Sequence, residues 1–388
     1  MTGTQNKHHI VVIGGGYAGA LAANHVRLRD DVEVTLVNPR PKFVERIRLH
    51  QHVAGNYDAA IDYDTLLGSH VRLVVDTATR IDAASRVVEL ASGDTLDYEY
   101  LIYAVGSTGT VPASVPGAAE FAYPLSEFEQ AQRLQQRLAD VPLSAPVVVI
   151  GAGLTGIEAA AEFAEAGRNV TLIGDQLGPS LSERGRKSVA KRLAKLGVIM
   201  VQGSVSGITA DQVQLPNRAP IASAVTVWTA GFGVPELAAA SGLQTDALGR
   251  LRTDNTLTSL DDSRIVATGD AAAPAGGPLR MSCQAAGPLA LTAAKTVVSR
   301  IAGSRPAPVD QAFVGSCISL GRGAATFQIA HKDDSPTNYY LGGRIAAKLK
   351  EAVCKGTVTN IRRAARKPGS ALVIKGGKTT EQQERVDA

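Results

Sequence analysis

The chain has 388 residues and a net charge of +4, with 45% apolar and 20% charged residues. This balance is typical of a globular protein of two or three domains, and it excludes a fibrous or wholly disordered chain. No apolar run approaches the ~18 residues of a membrane span, and we expect no signal peptide at the polar start.

The first predicted elements are a strand, a glycine-rich turn, a helix and a second strand. A β-branched run begins at His9, an alanine-rich stretch follows the glycines, and residues 32–38 form the next apolar run. The same order returns at residues 146–160 and 169–174. This internal repeat predicts two βαβ units of parallel sheet.

The other predicted elements lie between and after these repeats. A Pro/Gly-rich stretch at residues 110–117 predicts a crossing between domains. Residues 126–139 predict an amphipathic helix. Further strands are predicted at residues 87–90, 97–106, 224–231 and 263–270.

The first glycine set consists of Gly14, Gly16 and Gly19, in G-x-G-x-x-G spacing. The first glycine permits a tight turn, the second lets the backbone approach a pyrophosphate, and the third allows close helix–strand packing. The helix start then offers N–H groups to the phosphates. Because strands flank the turn and helix, we favour a dinucleotide site over a glycine-rich turn of another α/β protein.

The second predicted strand ends at Asn38, where an acidic residue usually binds the adenosine ribose. An amide can still hydrogen-bond a hydroxyl, although it carries no charge. Arg40 follows this strand. It either contacts a phosphate or the adenine, or it is a solvated side chain.

The second glycine set has the same spacing and consists of Gly151, Gly153 and Gly156. Its following strand ends at Gly174, and Asp175 is the predicted acceptor for the ribose of NADH, with a plain turn aspartate as the alternative. No arginine stands at that strand end to neutralise a 2′-phosphate, which favours NADH. Arg184 and Arg186 lie further on and keep NADPH open.

Two dinucleotide sites in one chain indicate an electron relay. A second nicotinamide would add nothing to a hydride donor, whereas a flavin can take hydride and release electrons singly or in pairs. The pair of motifs therefore predicts FAD together with NADH or NADPH.

Five motifs follow one another in the chain: V-I-G-G-G-Y-A-G from Val12, L-I-Y-A-V-G-S from Leu101, I-G-A-G-L-T-G-I-E from Ile150, V-W-T-A-G from Val227 and I-V-A-T-G-D from Ile265. Together they resemble the two-dinucleotide-binding flavoprotein family that includes glutathione reductase. Within it, the chain is most similar to type II NADH dehydrogenases and apoptosis-inducing-factor-like flavoproteins.

The resemblance implies an α/β fold with two Rossmann-like dinucleotide-binding domains, arranged as in glutathione reductase, and a C-terminal α+β domain. We expect a split FAD-binding domain at residues 1–112 and 246–310. The NAD(P)H-binding domain is expected at residues 113–245, and a C-terminal interface domain with a basic tail at residues 311–388.

The resemblance also assigns roles to residues. Asp270 resembles the aspartate that binds the ribityl chain of FAD, and Ala78 stands where a backbone contact to adenine is expected. Glu158 resembles the glutamate near nicotinamide and flavin, with a first-turn carboxylate favoured by the helix dipole as the alternative. Gln284 matches the first glutamine beside the quinone site of type II dehydrogenases, in a segment whose helix start lies under the flavin.

The predicted catalytic residues are Glu158 and Gln284. The predicted cofactor contacts are Gly14, Gly15, Gly16, Tyr17, Ala18, Gly19, Asn38, Arg40, Lys42, Arg46, Ala78, Ala104, Val105, Gly106, Gly151, Gly153, Leu154, Thr155, Gly156, Asp175, Gly231, Gly269, Asp270, Gln284 and Ala285.

The chain departs from the family in two places. Residues 38–50 contain no cysteine pair facing the flavin, so an internal disulfide relay is excluded. The side chains available to line the flavin there, or to pair with Glu158, are Lys42, Arg46, Arg48 and His50. The later glutamine pair of type II dehydrogenases is replaced by Pro288 and Leu289. The resemblance makes quinone the leading acceptor, and this second departure counts against it. A small electron-transfer protein as acceptor and an NADH-responsive sensor role are the alternatives.

Three cysteines, Cys283, Cys317 and Cys354, are widely spaced and form no metal-ligand pattern. They are consistent with a cytoplasmic protein. Cys283 lies next to the expected flavin site, as a reactive thiol or, more commonly, as a small buried apolar residue.

The positive charge is concentrated near the C-terminus, where residues 342–388 hold 11 Lys/Arg and 4 Asp/Glu. Residues 343–355 and 358–367 predict two short basic helices. Such helices bind anionic membrane surfaces, which makes peripheral attachment to the inner face of the membrane one interpretation; a solvated face or a homodimer contact are the others. No specific nucleic-acid binding is expected. Residues 379–388 are predicted to be disordered.

Overall fold

The computed structural model describes residues 7–277 and 279–373, so the predicted disorder of residues 379–388 lies outside the described residues. The helices in the described part are α1 Tyr17–Val26, α2 Leu49–Val53, α3 Ala118–Phe121, α4 Phe128–Ala139, α5 Leu154–Glu165, α6 Glu183–Lys195, α7 Leu237–Ala240, α8 Cys283–Ile301 and α9 Gly343–Arg366. The strands before α5 are β1 His8–Ile13, β2 Val32–Asn38, β3 Lys42–Val44, β4 Ala60–Asp62, β5 Val71–Val75, β6 Ala78–Asp82, β7 Val87–Leu90, β8 Thr95–Asp97, β9 Tyr100–Tyr103, β10 Thr108–Gly109, β11 Ala122–Pro124 and β12 Pro146–Ile150. The later strands are β13 Asn169–Gly174, β14 Ile199–Gln202, β15 Gly207–Ile208, β16 Gln212–Gln214, β17 Ile221–Ala222, β18 Val225–Trp228, β19 Phe232–Gly233, β20 Leu251–Thr253, β21 Ile265–Ala267, β22 Ala272–Pro274, β23 Gly315–Ser319, β24 Ala325–Ala330 and β25 Pro336–Gly342.

The first sheet is parallel and has the strand order β21–β9–β1–β2–β5. Strand β9 is buried along its whole length, which is typical of a parallel sheet covered on both faces. Because β21 follows every strand of the second sheet in the chain, two separate segments build this first sheet.

The second sheet is also parallel, with the order β11–β18–β12–β13–β14. Strand β12 and helix α5 repeat the arrangement of β1 and α1, with a glycine turn between strand and helix in each. The predicted pair of βαβ units and the α/β fold class are therefore confirmed. The boundaries assigned to the domains stay predictions.

A third sheet, β23–β24–β25, is antiparallel and packs against α9. The prediction of two short helices here is wrong, because α9 runs without a break from Gly343 to Arg366. A glycine inside a helix costs about 1 kcal/mol relative to alanine. The buried stripe on both sides of Gly356 outweighs that cost; it consists of Ala346, Cys354, Val358, Ile361 and Ala364.

The C-terminal elements connect the two parallel sheets. Ile318 and Leu320 belong to the apolar core around α5 and the second sheet. Val358 and Ile361 of α9 belong to the core around the first sheet and α8. Strand β23 therefore lies next to α5, and helix α9 lies next to α1. These are the helices that follow the two glycine turns. Among residues 7–277 and 279–373, no helix is long and apolar enough to cross a membrane.

Candidate active site

The first glycine turn leaves room for a ligand at the start of α1. Gly14 has φ of +103°, and a Cβ there would lie 2.2 Å from the Ala104 carbonyl oxygen. A Cβ on Gly19 would lie 1.8 Å from the Gly14 carbonyl oxygen, so both positions require glycine for packing. By contrast, nothing lies within 4 Å of the Cβ position of Gly16. No side chain caps the N–H groups of α1, which begins at Tyr17.

Asn38 stabilises this turn through two hydrogen bonds. Its Oδ1 accepts a hydrogen bond from the Gly15 N–H at 2.9 Å, and its Nδ2 donates to the Arg40 carbonyl at 2.8 Å. The Tyr63 hydroxyl donates to the Gly15 carbonyl at 2.8 Å. The amide of Asn38 thus holds the backbone of the glycine turn, and its contact with a ribose stays a prediction.

Asp270 lies in a single 3₁₀ turn, Gly269–Ala271, directly after β21. Its carboxylate accepts from the Ser107 hydroxyl at 2.6 Å and from the Ser282 N–H at 3.1 Å. Arg46 donates to the Ser107 carbonyl at 2.7 Å. The carboxylate therefore joins the loop after β9 to the start of α8.

These residues fit a bound FAD. The start of α1 presents N–H groups beside an open glycine, which suits a pyrophosphate. Gly106 has φ of +73° and nothing within 4 Å of its Cβ position. The buried Thr268 hydroxyl has no hydrogen-bond partner among the described residues. Open backbone, this unpaired hydroxyl and the Asp270 carboxylate are donors and acceptors that suit a flavin dinucleotide.

Other predicted cofactor contacts occupy different places around this region. Arg40 bonds to Glu129 at 2.6 Å and to Glu127 at 3.0 Å, at the start of α4. Ala78 begins β6. Gly231 has φ of +82°, and a Cβ there would lie 2.8 Å from the Thr110 hydroxyl. Contacts of these residues with a cofactor stay predictions.

The second glycine turn repeats the first. Gly151 has φ of +107°, a Cβ on Gly156 would lie 1.8 Å from the Gly151 carbonyl, and nothing lies within 4 Å of the Cβ position of Gly153. A cavity of 320 Å³ follows at the end of β13. Its walls include Ala152, Gly174, Asp175, Leu177, Arg186, Met200 and Gln202.

The charges in this cavity bear on the coenzyme. A Cβ at Gly174 would lie 2.7 Å from the Ala152 nitrogen, so no side chain fits at the strand end itself. The acidic group is instead Asp175, whose Oδ1 accepts from the Ser204 hydroxyl at 2.8 Å. Arg186 lines the same cavity and donates to the Leu181 carbonyl at 3.0 Å. A carboxylate and a cation therefore share one cavity, and the contact of Asp175 with a ribose stays a prediction.

Glu158, on α5, is the centre of a buried charge cluster. Lys350 Nζ lies 2.9 Å from Glu158 Oε1, and the Ser319 N–H donates to the same oxygen at 2.9 Å. His50 Nδ1 lies 3.8 Å from Glu158 Oε2. Lys350 also donates to the Cys317 carbonyl at 3.2 Å. Elements from three parts of the chain thus meet at one carboxylate.

The pKa values in this cluster follow from burial and charge. Burial alone would raise the pKa of Glu158, but the charge of Lys350, together with the hydrogen bond from the Ser319 N–H, outweighs it and holds that pKa below its usual value. Burial lowers the pKa of His50 to about 4, despite the opposing effect of Glu158. The pKa of Lys350 is raised, because its attraction to Glu158 exceeds the cost of burying the ammonium. At neutral pH the cluster therefore holds an ionised Glu158–Lys350 pair beside a neutral His50.

The four basic residues predicted to pair with Glu158 or line the flavin have separate environments. Lys42 lies 3.2 Å from Asp62 at the surface, and Arg46 bonds to the loop after β9. Arg48 is buried and forms a bidentate pair with the partly exposed Glu351, at 2.9 and 3.0 Å. Of the four, only His50 approaches Glu158. The principal partner of Glu158 is Lys350. In the sequence it is one of several basic residues near the C-terminus, and no local pattern distinguishes it from the others.

Gln284, at the start of α8, bridges to the third sheet. Its Nε2 donates to the Gly315 carbonyl at 2.9 Å and its Oε1 accepts from the Val314 N–H at 2.9 Å. Pro288, four residues later, has no N–H to offer the Gln284 carbonyl. The Gln311 side chain donates to that carbonyl at 3.4 Å instead. A catalytic role for Gln284 stays a prediction.

A smaller cavity of 160 Å³ lies between α1, α8 and α9. Its walls are mainly apolar and include Leu21, Ala312, Ile361, Leu372 and Val373, together with the polar residues Tyr17, Gln284, Thr357 and Asn360 and with Cys283. The cavity therefore lies next to both the first glycine turn and the start of α8.

The three cysteines are free thiols. Burial raises the pKa of Cys283, and it raises the pKa of Cys317 to about 12 and that of Cys354 to about 11. These thiols are therefore protonated at neutral pH, which agrees with an apolar packing role.

Two parallel sheets with matching glycine turns define a flavoprotein with two dinucleotide sites. The chain belongs to the pyridine nucleotide-disulphide oxidoreductase family, whose pattern it matches over residues 8–295. It is accordingly an NAD(P)H-dependent FAD oxidoreductase, and the predicted enzyme class and cofactors are confirmed.

Named relatives agree with this assignment. A NADH dehydrogenase-like protein of Mycobacterium tuberculosis is 32% identical over 327 residues, covering 75% of this chain and 80% of that protein. The type II NADH:quinone oxidoreductase Ndh of the same organism is 27% identical over 374 residues, covering 83% and 80%. The crystal structure of the sulfide:quinone oxidoreductase from Aquifex aeolicus has a TM-score of 0.78 at 21% identity, covering 93% of each chain, and supports the fold.

Proposed function

We propose that this chain oxidises NADH and passes the electrons through FAD to a quinone. The observation that carries the choice of acceptor is the mainly apolar cavity between α1, α8 and α9, with hydrogen-bonding groups on its wall. Planar apolar ligands are held by such a combination. The relatives named as quinone oxidoreductases support the same choice.

The coenzyme half of the reaction is assigned to the second glycine turn. The start of α5 offers N–H groups to the pyrophosphate of NADH, and Asp175 accepts from a ribose hydroxyl. Ser204 orients that carboxylate. Glycine at position 174 keeps the strand end free for the ribose.

FAD, when bound, accepts a hydride and can release electrons singly or in pairs. The chain supplies the surroundings for this chemistry. Lys350 places a positive charge in the buried space between α5 and α9, and the start of α8 places a helix N-terminus nearby; both favour negative charge on a reduced cofactor or substrate. The Ser319 N–H holds the Glu158 carboxylate in place.

The C-terminal surface is proposed to contact an anionic membrane. The side chains of Tyr339 and Ile345 are 72% and 69% exposed, and Arg344 and Lys348 are exposed beside them. Apolar groups rimmed by basic groups suit a negatively charged lipid surface, with about 1 kcal/mol for each basic residue near it. Sedimentation with vesicles of phosphatidylcholine alone or with phosphatidylglycerol tests this: binding only to the anionic vesicles is expected, and loss of binding must follow Ile345→Glu.

The electron-transfer proposal is tested by anaerobic flavin spectra. We expect NADH to bleach the oxidised-flavin absorbance and ubiquinone-1 to restore it rapidly. Bleaching that ubiquinone-1 does not reverse would shift the assignment to a protein acceptor or a sensor. Ferricyanide serves as the control oxidant, since it shows whether the reduced flavin can be reoxidised at all.

A further inference from the structure

The hydroxyl group of Tyr17 is buried without a hydrogen-bond partner among the described residues. The ring is fixed by an edge contact with Phe43, at a centroid distance of 5.1 Å and an interplanar angle of 86°. Phe43 itself is fully buried. A buried hydroxyl with no partner costs roughly 1–3 kcal/mol of desolvation. A fixed, unpaired donor of this kind requires an explanation.

The position of Tyr17 supplies one. Its backbone begins α1 directly after the open glycine, Gly16, while its side chain lines the 160 Å³ cavity with Cys283 and Gln284. Burial raises the pKa of the hydroxyl well above its usual value, and the nearby groups Glu45 and Cys283 raise it further. The group therefore keeps its proton at any physiological pH and can donate a hydrogen bond to an electron-rich partner.

Nearby acceptors are already engaged. The Glu45 carboxylate accepts from the Tyr57 hydroxyl and lies 3.4 Å from Arg48 Nε. The amide of Asn360 exchanges two hydrogen bonds with the backbone of Leu372, at 2.7 and 3.2 Å. A ligand in the cavity remains the natural acceptor for the hydroxyl.

We propose that the Tyr17 hydroxyl donates a hydrogen bond to a carbonyl oxygen of the quinone bound in this cavity. The inference deepens the proposed function and rests on it. As electrons arrive, negative charge grows on that oxygen, and a donor already in place stabilises the charge without reorganisation. Tyr17 would then serve both reactions, with its backbone at the FAD turn and its hydroxyl at the acceptor.

Tyr17→Phe tests the inference, because it removes one oxygen atom and keeps the ring against Phe43. Tyr98→Phe is the matched control: Tyr98 is 3% exposed, its hydroxyl is also buried without a partner, and it lies outside the cavity wall. Stopped-flow absorbance would follow flavin reduction by NADH, then reoxidation by ubiquinone-1 or ferricyanide. Quenching of flavin fluorescence would measure binding of ubiquinone-1 to the oxidised holoprotein.

We expect Tyr17→Phe to slow reoxidation by ubiquinone-1 about a hundred- to a thousandfold, in line with loss of one preorganised donor. Its binding of ubiquinone-1 should weaken, while reduction by NADH and reoxidation by ferricyanide stay within twofold of wild type. Tyr98→Phe should change none of these.

Two results would overturn the inference. One is unchanged ubiquinone-1 kinetics in Tyr17→Phe. The other is an equal loss with NADH and ferricyanide, or loss of bound FAD, which would assign the hydroxyl to the cofactor. If the wild-type protein itself fails to reduce ubiquinone-1, the proposed function fails; if the wild type succeeds and Tyr17→Phe matches it, the inference alone fails.

Discussion

Lys350 Nζ lies 2.9 Å from Glu158 Oε1, and this buried pair joins the C-terminal helix α9 to α5, the helix of the second glycine turn. The two side chains are 14% and 10% exposed. A pair so sheltered is screened little by salt, and removal of either partner leaves a buried charge. We therefore expect the rate of electron transfer to depend on whether this pair is ionised.

Replacing Lys350 with methionine tests that link. Lys350 is the main group that holds the pKa of Glu158 below its usual value, so burial would dominate in the variant and raise that pKa. The ionised carboxylate, present above its pKa, would then be lost at a higher pH as the solution is acidified. We expect at least tenfold slower turnover with ubiquinone-1 at neutral pH and an acid limb displaced upward in the pH profile.

The control for Lys350→Met is Lys348→Met, two residues earlier on the exposed face of α9. It removes an equal charge from the same helix and should leave the pH profile unchanged. An unshifted profile in Lys350→Met would show that Glu158 does not titrate in the rate-determining process.

The contrast between Lys350 and Lys348 also shows what the sequence can predict. The glycine turns and strands were predictable because their requirements are local: a positive φ, close packing and an apolar run. Lys350 has no such signature. Its role depends on α9 packing across two sheets, and the sequence around it resembles any basic amphipathic helix.

Arg48 gives a second example of this limit. It follows β2 in the chain, where the sequence suggested a side chain facing the flavin. In the structure it is buried against Glu351, a partner 303 positions away in the chain. Its position in the chain made Arg48 one of four basic side chains predicted to line the flavin or pair with Glu158. Contacts from α9 determine its actual partner.

Arg48→Met is expected to destabilise the protein. The guanidinium is 1% exposed, bonds to both oxygens of Glu351 and lies 3.4 Å from the buried Glu45. Its removal leaves the buried Glu45 without its cation and leaves Glu351 with Lys355 alone, at a cost of about 3 kcal/mol. Differential scanning fluorimetry should show a clear fall in apparent Tm.

Lys355→Met is the matched comparison for Arg48, because Lys355 pairs with the same Glu351 at 3.4 Å but is 71% exposed. Exposed pairs contribute between 0 and about 1 kcal/mol, so its apparent Tm should hardly change. Equal effects of the two substitutions would contradict a special role for the buried pair.

His25 should make stability depend on pH. Burial lowers its pKa to about 4, assisted by Lys295, and neither ring nitrogen has a hydrogen-bond partner among the described residues. The unfolded chain takes up a proton near pH 6.5, while the folded protein resists protonation until about pH 4. The stabilisation is therefore complete above pH 6.5 and declines as the pH falls toward 4, by up to roughly 3 kcal/mol.

Chemical denaturation between pH 4 and 8 would measure this decline. His25→Leu should flatten the acid part of the curve, since leucine has no proton to gain, whereas substitution of the exposed His70 by leucine should leave the slope intact. His50, whose pKa is also lowered to about 4, keeps a share of the slope in both variants. A slope as steep in His25→Leu as in wild type would rule out His25 as a source.

Coenzyme choice should respond to Arg186. This side chain lines the cavity at the end of β13 together with Asp175, so a 2′-phosphate would meet a cation and a carboxylate in one site. Charge-assisted hydrogen bonds contribute roughly 1.5–3 kcal/mol. We expect Arg186→Met to raise KM for NADPH about tenfold or more and KM for NADH less than twofold, with flavin reduction as the readout. Arg184→Met, at an exposed neighbouring position outside the cavity wall, should change neither.

Asp175→Asn should act in the opposite sense, because it weakens the ribose contact of NADH and removes repulsion from a phosphate. If Arg186→Met impairs both coenzymes equally, its bond to the Leu181 carbonyl, and hence the shape of the loop before α6, would be its main contribution.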